Sequence, residues 1–121
     1  MTDKEKLKAR TKQFALNVIK LVEQLPKTNT NYILGKQLTR SATSVGANYR
    51  AACRARSHAD FISKITIVEE EADESQFWIE VIIESGIDRS DLIMSLLQES
   101  KELTAIFTSS GKTAKENHFK K

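Results

Sequence analysis

Hydrophobic residues recur along most of the chain at alternating spacings of four and three, which is the period of an amphipathic helix. The clearest pattern lies between Ser57 and Ser85, where small and apolar residues fall on one helical stripe. The stripe consists of Phe61, Ile65, Val68, Ala72, Ser75, Ile79 and Ile82. It predicts a helix over residues 58–85 that buries this side against the rest of its own chain.

The same period predicts three further helices, over residues 3–25, 31–56 and 89–108. No strong breaker separates the second helix from the third, so one long continuous helix is an alternative at that point. The capping pattern Ser57-x-x-Asp60 favours a break. Four helices with short loops indicate an all-α, antiparallel up-down four-helix bundle forming one domain over residues 1–111. Residues 112–121 lack the pattern and are expected to be a mobile basic tail.

The predicted third helix is not polar on its outer side. Apolar residues project there beside a block of acids at residues 69–74, and a monomer would rarely leave so much apolar surface in water. We interpret this side as a contact between subunits. The predicted interface comprises Ile67, Glu71, Glu74, Phe77, Trp78 and Val81.

Composition limits the class of protein. The chain of 121 residues has one proline and four glycines, which suits a helical domain. The single cysteine, Cys53, excludes an internal disulfide, so a reducing cytoplasmic setting is the simplest expectation. No segment approaches the ~20 apolar residues needed to span a bilayer, and no contact with a membrane is expected.

Charge is strongly segregated along the chain. Residues 1–27 carry seven basic and three acidic groups, and residues 36–64 carry six against one. Residues 69–91 reverse this balance, with nine acids against Arg89. Oppositely charged helices can pair with each other, so a basic stretch is not by itself a nucleic-acid site.

The second helix nevertheless carries a basic stripe on the face opposite its small apolar residues. Lys36, Arg40, Arg50 and Arg54 fall within an arc of about 80° and a length of roughly 27 Å. The stripe could follow the phosphates of RNA or DNA, or it could pair with the acids of a neighbouring helix. No aromatic residue interleaves with it, so stacking on single-stranded bases is not expected.

Two polar residues, Ser41 and Asn48, fall on the predicted core side of the second helix. A buried polar group needs a partner. A hydrogen bond to the glutamates of the third helix, or among Arg40, Asn48 and Glu71, would fix how the helices align, so we interpret Ser41 and Asn48 as a structural polar core.

No motif for catalysis is evident. The chain has no glycine-rich phosphate loop, no nucleophile elbow and no cysteine or histidine cluster at metal-binding spacing. Cys53 and His58 are five residues apart and would not face each other on one helix. We expect no enzyme activity, no metal, no cofactor and no small-molecule substrate.

At the centre of the chain, the combination of Arg40-Ser41, Asn48, Ser57, Phe61 and the Glu71, Glu74, Trp78 spacing resembles a known bacterial family. This is the four-helix bundle family of the 23S rRNA intervening-sequence protein (S23-like), and the resemblance covers about residues 10–108. It implies an up-down bundle that assembles as a homopentamer around a central channel and has no established catalytic activity. Members are often encoded within insertions in large-subunit ribosomal RNA genes.

A related branch is similar to the accessory protein of diversity-generating retroelements, which binds nucleic acid and a reverse transcriptase. Many members read Asn-x-x-Glu-Gly where this chain has Asn48-Tyr49-Arg50-Ala51, so the face is more basic here. Two hypotheses follow: a homo-oligomeric bundle that binds ribosomal RNA or another nucleic acid, or a protein scaffold whose basic and acidic faces only hold subunits together.

Overall fold

The computed structural model describes residues 1–119 and shows four α-helices in that part of the chain. They are α1 (Asp3–Gln24), α2 (Asn29–Ala52), α3 (His58–Glu84) and α4 (Asp91–Phe119). Each helix contacts the next one, and α4 closes against α1. The predicted all-α four-helix bundle is therefore confirmed, with α1 diagonal to α3 and α2 diagonal to α4.

The helix starts are set by side chains that satisfy free backbone amides. Thr2 and Glu5 form a reciprocal capping box at α1, in which the Glu5 amide donates to Thr2 Oγ1 at 3.1 Å. Ser57 caps α3 by accepting from the Asp60 amide at 3.0 Å. The chain thus turns between α2 and α3, and the alternative of one continuous helix is wrong.

The core consists of the apolar stripes of all four helices. Each helix also contributes one fully buried hydroxyl to it: Thr11, Ser41, Ser75 and Ser100. Each of these hydroxyls donates to a carbonyl of its own helix, and Ser75 Oγ also lies 2.9 Å from Ser41 Oγ. At these four positions the core therefore contains small polar side chains, and each of their hydroxyl groups has a hydrogen-bond partner.

Helices α1 and α2 approach closely at two glycines of α2. A Cβ atom on Gly46 would lie 3.4 Å from the carbonyl oxygen of Thr11, and one on Gly35 would lie 2.8 Å from a methyl group of Val22. A side chain at Gly35 would clash with Val22, whereas a Cβ at Gly46 would just reach ordinary contact with the α1 backbone and only a side chain larger than alanine would push the helices apart. The glycines therefore bring the outer edges of α1 and α2 together into one groove.

The predicted end of the fourth helix is wrong. Instead of ending near residue 108, α4 continues to Phe119, and Gly111 and Ala114 are buried. His58 Nε2 donates to the Ala114 carbonyl at 2.7 Å, which holds the last turns of α4 against the start of α3. The residues of the expected tail up to 119 are thus helical, and residues 120–121 lie outside the described part. Weak periodicity around Ser109-Ser110-Gly111 concealed this continuation.

Replacing Gly111 with alanine tests this longer helix. The added Cβ would lie 3.6 Å from Ile65, an ordinary contact, and alanine costs less backbone entropy than glycine within a helix. We expect Gly111→Ala to raise the free energy of unfolding by about 0.5–1 kcal/mol in urea denaturation. As the matched control, Gly86→Ala should lower it by about 1 kcal/mol, because Gly86 has a φ of 82°. No gain at Gly111 would contradict the helical end.

Candidate nucleic-acid interface

Arg40 of the predicted basic stripe is paired within its own chain. Its guanidinium contacts Glu71 at 2.9 Å and also Glu74, both on α3. The glutamates expected to meet a neighbouring subunit therefore bind an arginine of their own subunit. Arg40 therefore forms ion pairs where α2 meets α3 and is not a free cation.

Glu74 has a second partner. The indole N–H of Trp78, one turn later on α3, donates to Glu74 Oε2 at 3.0 Å. This hydrogen bond, together with Arg40, holds the pKa of Glu74 below its usual range. Arg40, Glu71, Glu74 and Trp78 therefore form one network on the surface between α2 and α3.

Ser41 and Asn48, the two predicted polar core residues of α2, differ in burial and in hydrogen-bond partners. Ser41 is fully buried and lies against Ser75 of α3, whereas Asn48 is half-buried. The expected hydrogen bond from Asn48 to Arg40 or to the glutamates of α3 is wrong. Its Nδ2 donates to Ser44, to the carbonyl at 2.9 Å and to Oγ at 2.8 Å, because Ser44 lies one turn away on the same helix.

The other three cations of the stripe, Lys36, Arg50 and Arg54, are exposed. Among residues 1–119, none of them has an ion pair. Their charges therefore face solvent, in contrast to that of Arg40. The stripe is thus divided into one structural arginine and three available cations.

Two lysines of α1 extend this surface. Lys8 and Lys12 line a groove of about 520 Å³ between α1 and α2, together with Arg50 and Thr43. Small residues, including Gly46 and Ala47, also line the groove. Lys8, Lys12 and Arg50 thus converge on one concave surface, and within the described chain none of them has an acidic partner.

The sequence contained part of this signal. Lys8 and Lys12 are four residues apart and so share one side of α1. Which helix that side faces depends on how the bundle closes, and the periodic pattern alone does not determine this. The lysines were consequently missed as members of the basic surface.

Two contacts between neighbouring helices, here called seams, each contain one arginine that forms ion pairs: the seam of α2 with α3 and the seam of α1 with α4. Arg40 joins α2 to α3, and Arg10 joins α1 to α4 through Glu99 at 2.6 Å and Glu102 at 3.0 Å. Four glutamates of α3 and α4 form ion pairs at these seams. At the seam between α1 and α2, the cations along the groove have no ion pair within the described chain.

The predicted subunit contact lies on the outer face of α3. Phe77 is 52% exposed and Ile67 is 40% exposed, while Trp78 and Val81 are half-buried. Phe77 packs edge-on against Trp78, with ring centroids 4.9 Å apart. Trp78 also packs against the core of its own chain, so Phe77 and Ile67 are the residues of this face that are most available to a partner.

Two other features, a metal-binding cluster and a membrane-spanning helix, are not found among the described residues. Residues 1–119 contain no group of three or more potential metal ligands. No helix in that range is long and apolar enough to cross a membrane.

Comparison with known proteins agrees with this architecture. The model of the family described as 23S rRNA-intervening sequence protein matches residues 4–109. This chain belongs to that family. A crystal structure of a protein of unknown function from the S23 ribosomal protein family of Bacteroides thetaiotaomicron is 32% identical, covering 92% of this chain and 99% of the other, with a TM-score of 0.82. A search of the curated proteins gave no match.

The network around Glu74 gives a testable dependence of stability on pH. Because folding lowers the pKa of Glu74, its contribution is complete above the pKa of the unfolded chain and is lost as the pH falls through the folded value. We expect Glu74→Gln to lower the free energy of unfolding at pH 7 by roughly 1 kcal/mol or less, since the pair is partly exposed, and to have a diminishing effect as acidification protonates the carboxylate.

The exposed Glu70, which has no ion pair among residues 1–119, provides the control. Glu70→Gln should have a much smaller effect on stability across the same range. Denaturation in urea at several pH values measures both variants. A Glu74→Gln effect that stays constant with pH would contradict the role of this carboxylate.

Proposed function

We propose that this family member is a cytoplasmic, non-enzymatic, homo-oligomeric bundle that binds RNA or DNA through the groove between α1 and α2. The observation that carries this proposal is the convergence of Lys8, Lys12 and Arg50 on one groove without an acidic partner in the described chain. Cations gathered in this way release condensed counterions from a phosphate backbone when they bind it.

The position of Lys36 and Arg54 supports a longer binding surface. Lys36 lies on the exposed side of α2, and Arg54 is exposed in the turn that follows the end of α2. From Lys36 to Arg50 the helix rises roughly 21 Å, which is enough to follow several phosphates. The family's name refers to the intervening sequence of 23S rRNA, so fragments of ribosomal RNA are the first probes to use.

The scaffold hypothesis is less well supported by the contacts. It requires the basic stripe of one subunit to meet the acids at residues 69–74 of the next. Arg40, Glu71 and Glu74 already satisfy one another within one chain. Glu70 and Asp73 remain exposed without an ion pair among residues 1–119. We assign the remaining cations to an external ligand because Lys8, Lys12 and Arg50 line one groove between α1 and α2.

We also propose that copies of the chain assemble as a pentamer through the outer face of α3. Exposed Phe77 and Ile67 support this assignment, because partner contact would remove them from water. The basic groove is compatible with this arrangement, since α1 and α3 are diagonal in the bundle. Assembly through α3 would leave the groove open and would repeat it around the oligomer.

The binding proposal is tested by reversing charges in the groove. We expect Lys12→Glu combined with Arg50→Glu to weaken binding of a labelled ribosomal RNA fragment at low salt. The slope of log K against log salt should decrease by about 0.7–0.9 for each phosphate contact that is lost. Fluorescence anisotropy across a salt series measures both effects.

The control reverses two exposed lysines of α4, Lys101→Glu with Lys112→Glu, which changes the net charge equally. Sedimentation of the groove variant must show an unchanged oligomer. Equal loss of binding in both variants would indicate a net-charge effect, and dissociation of the groove variant would favour the scaffold hypothesis. Absence of RNA binding by the unmodified protein at low salt would contradict the proposal outright.

The assembly surface is tested with Phe77→Glu. Phe77 is half-exposed in the single chain, so a glutamate there is compatible with folding but would place a charge in the proposed contact. We expect the sedimentation mass to fall towards that of the monomer, with helical circular dichroism retained.

The matched control is Leu16→Glu, because Leu16 is 49% exposed on α1, the helix diagonal to α3. It should leave the oligomer intact. An unchanged mass for Phe77→Glu, or dissociation by Leu16→Glu alone, would place the contact elsewhere.

A further inference from the structure

One aromatic side chain lies at the end of the α1–α2 groove opposite to Lys8 and Arg50. Tyr32, in the first turn of α2, is 70% exposed. It borders a cavity of about 690 Å³ whose wall includes Val22, Leu25 and Pro26. The chain thus presents a tyrosine ring beside an apolar recess and leaves it open to solvent.

Cations surround this recess. Lys27 and Lys36 border it, and Lys36 lies one turn after Tyr32, about 6 Å further along the helix axis. Arg40 also borders it but is committed to Glu71 and Glu74. Glu23 is the acid in the lining, so two available lysines face one carboxylate.

The recess and the basic groove lie along the same pair of helices. Thr39 borders the recess and Thr43, one turn later, borders the groove. From Tyr32 to Arg50 the surface extends roughly 27 Å. An aromatic ring therefore lies at one end of a surface that carries Lys36 beside it and Lys12, Lys8 and Arg50 further along. The expectation that no base would stack considered only the stripe from Lys36 to Arg54, whereas Tyr32 precedes that stripe in the sequence.

We propose that the groove takes single-stranded nucleic acid, with one base stacked on Tyr32 and the backbone following Lys36, Lys12, Lys8 and Arg50. This inference rests on the proposed function and specifies its ligand. A base in a duplex already stacks on its neighbours and cannot place its face on a side chain at the helix surface, whereas an unpaired base can. Cations alone would bind both forms, so the tyrosine is the feature that separates them.

The test compares a single-stranded oligonucleotide of roughly 12 nucleotides with the duplex that it forms with its complement. Binding is measured by fluorescence anisotropy at low salt. We expect Tyr32→Ala to weaken binding of the single strand by about five-fold or more and to leave binding of the duplex unchanged. Tyr32→Phe should retain the affinity of the unmodified protein, because the ring and not the hydroxyl forms the stack.

The groove variant Lys12→Glu, Arg50→Glu distinguishes the two proposals. If it weakens binding while Tyr32→Ala has no effect on the single strand, the stacking inference is overturned and the proposed function stands. If neither form of nucleic acid binds the unmodified protein, both are overturned. A change in sedimentation mass for Tyr32→Ala would show that a second copy covers this recess, which would also overturn the inference.

Discussion

The close approach of α1 and α2 is the constraint on which the proposed surface depends. Gly46 allows the α2 backbone to lie against the carbonyl of Thr11, and Gly35 does the same beside Val22. Both helices are basic, so bringing them together costs electrostatic repulsion. Packing of the buried stripes offsets that cost, and water screens the charges that remain at the surface. The result is a groove in which positive charge is concentrated by the geometry of the backbone.

Two arginines show how the rest of the charge is arranged. Arg10 and Arg40 each join a basic helix to an acidic one, through Glu99 and Glu102 on α4 and through Glu71 and Glu74 on α3. Oppositely charged helices therefore meet at these two seams. The paired acids lie on α3 and α4, and the α1–α2 groove remains positively charged. Segregation of charge along the sequence thus becomes a division between a positively charged groove and a network of ion pairs.

The period of apolar residues was sufficient to predict four helices, because Phe14, Leu38, Ile79 and Leu103 lie on stripes that only a bundle can bury together. It failed at the end of α4, where the small residues Gly111 and Ala114 pack without a strong apolar signal. The site was predicted only in part. Spacing placed Lys36 and Arg50 on the exposed side of α2, but Arg54 lies in the turn beyond the end of that helix. The pairing of Arg40 and the addition of Lys8 and Lys12 depend on which helices are neighbours, and no local pattern determines that.

The most direct measurement of the central claim is lysine footprinting by limited acetylation and mass spectrometry, with and without a bound oligonucleotide. It reports on individual positions and does not depend on the size of the oligomer. We expect Lys8, Lys12 and Lys36 to react more slowly in the complex, while Lys101 and Lys112 on α4 react at the same rate with and without the oligonucleotide. Protection confined to α4, or equal protection of all lysines, would contradict a nucleic-acid site in the α1–α2 groove.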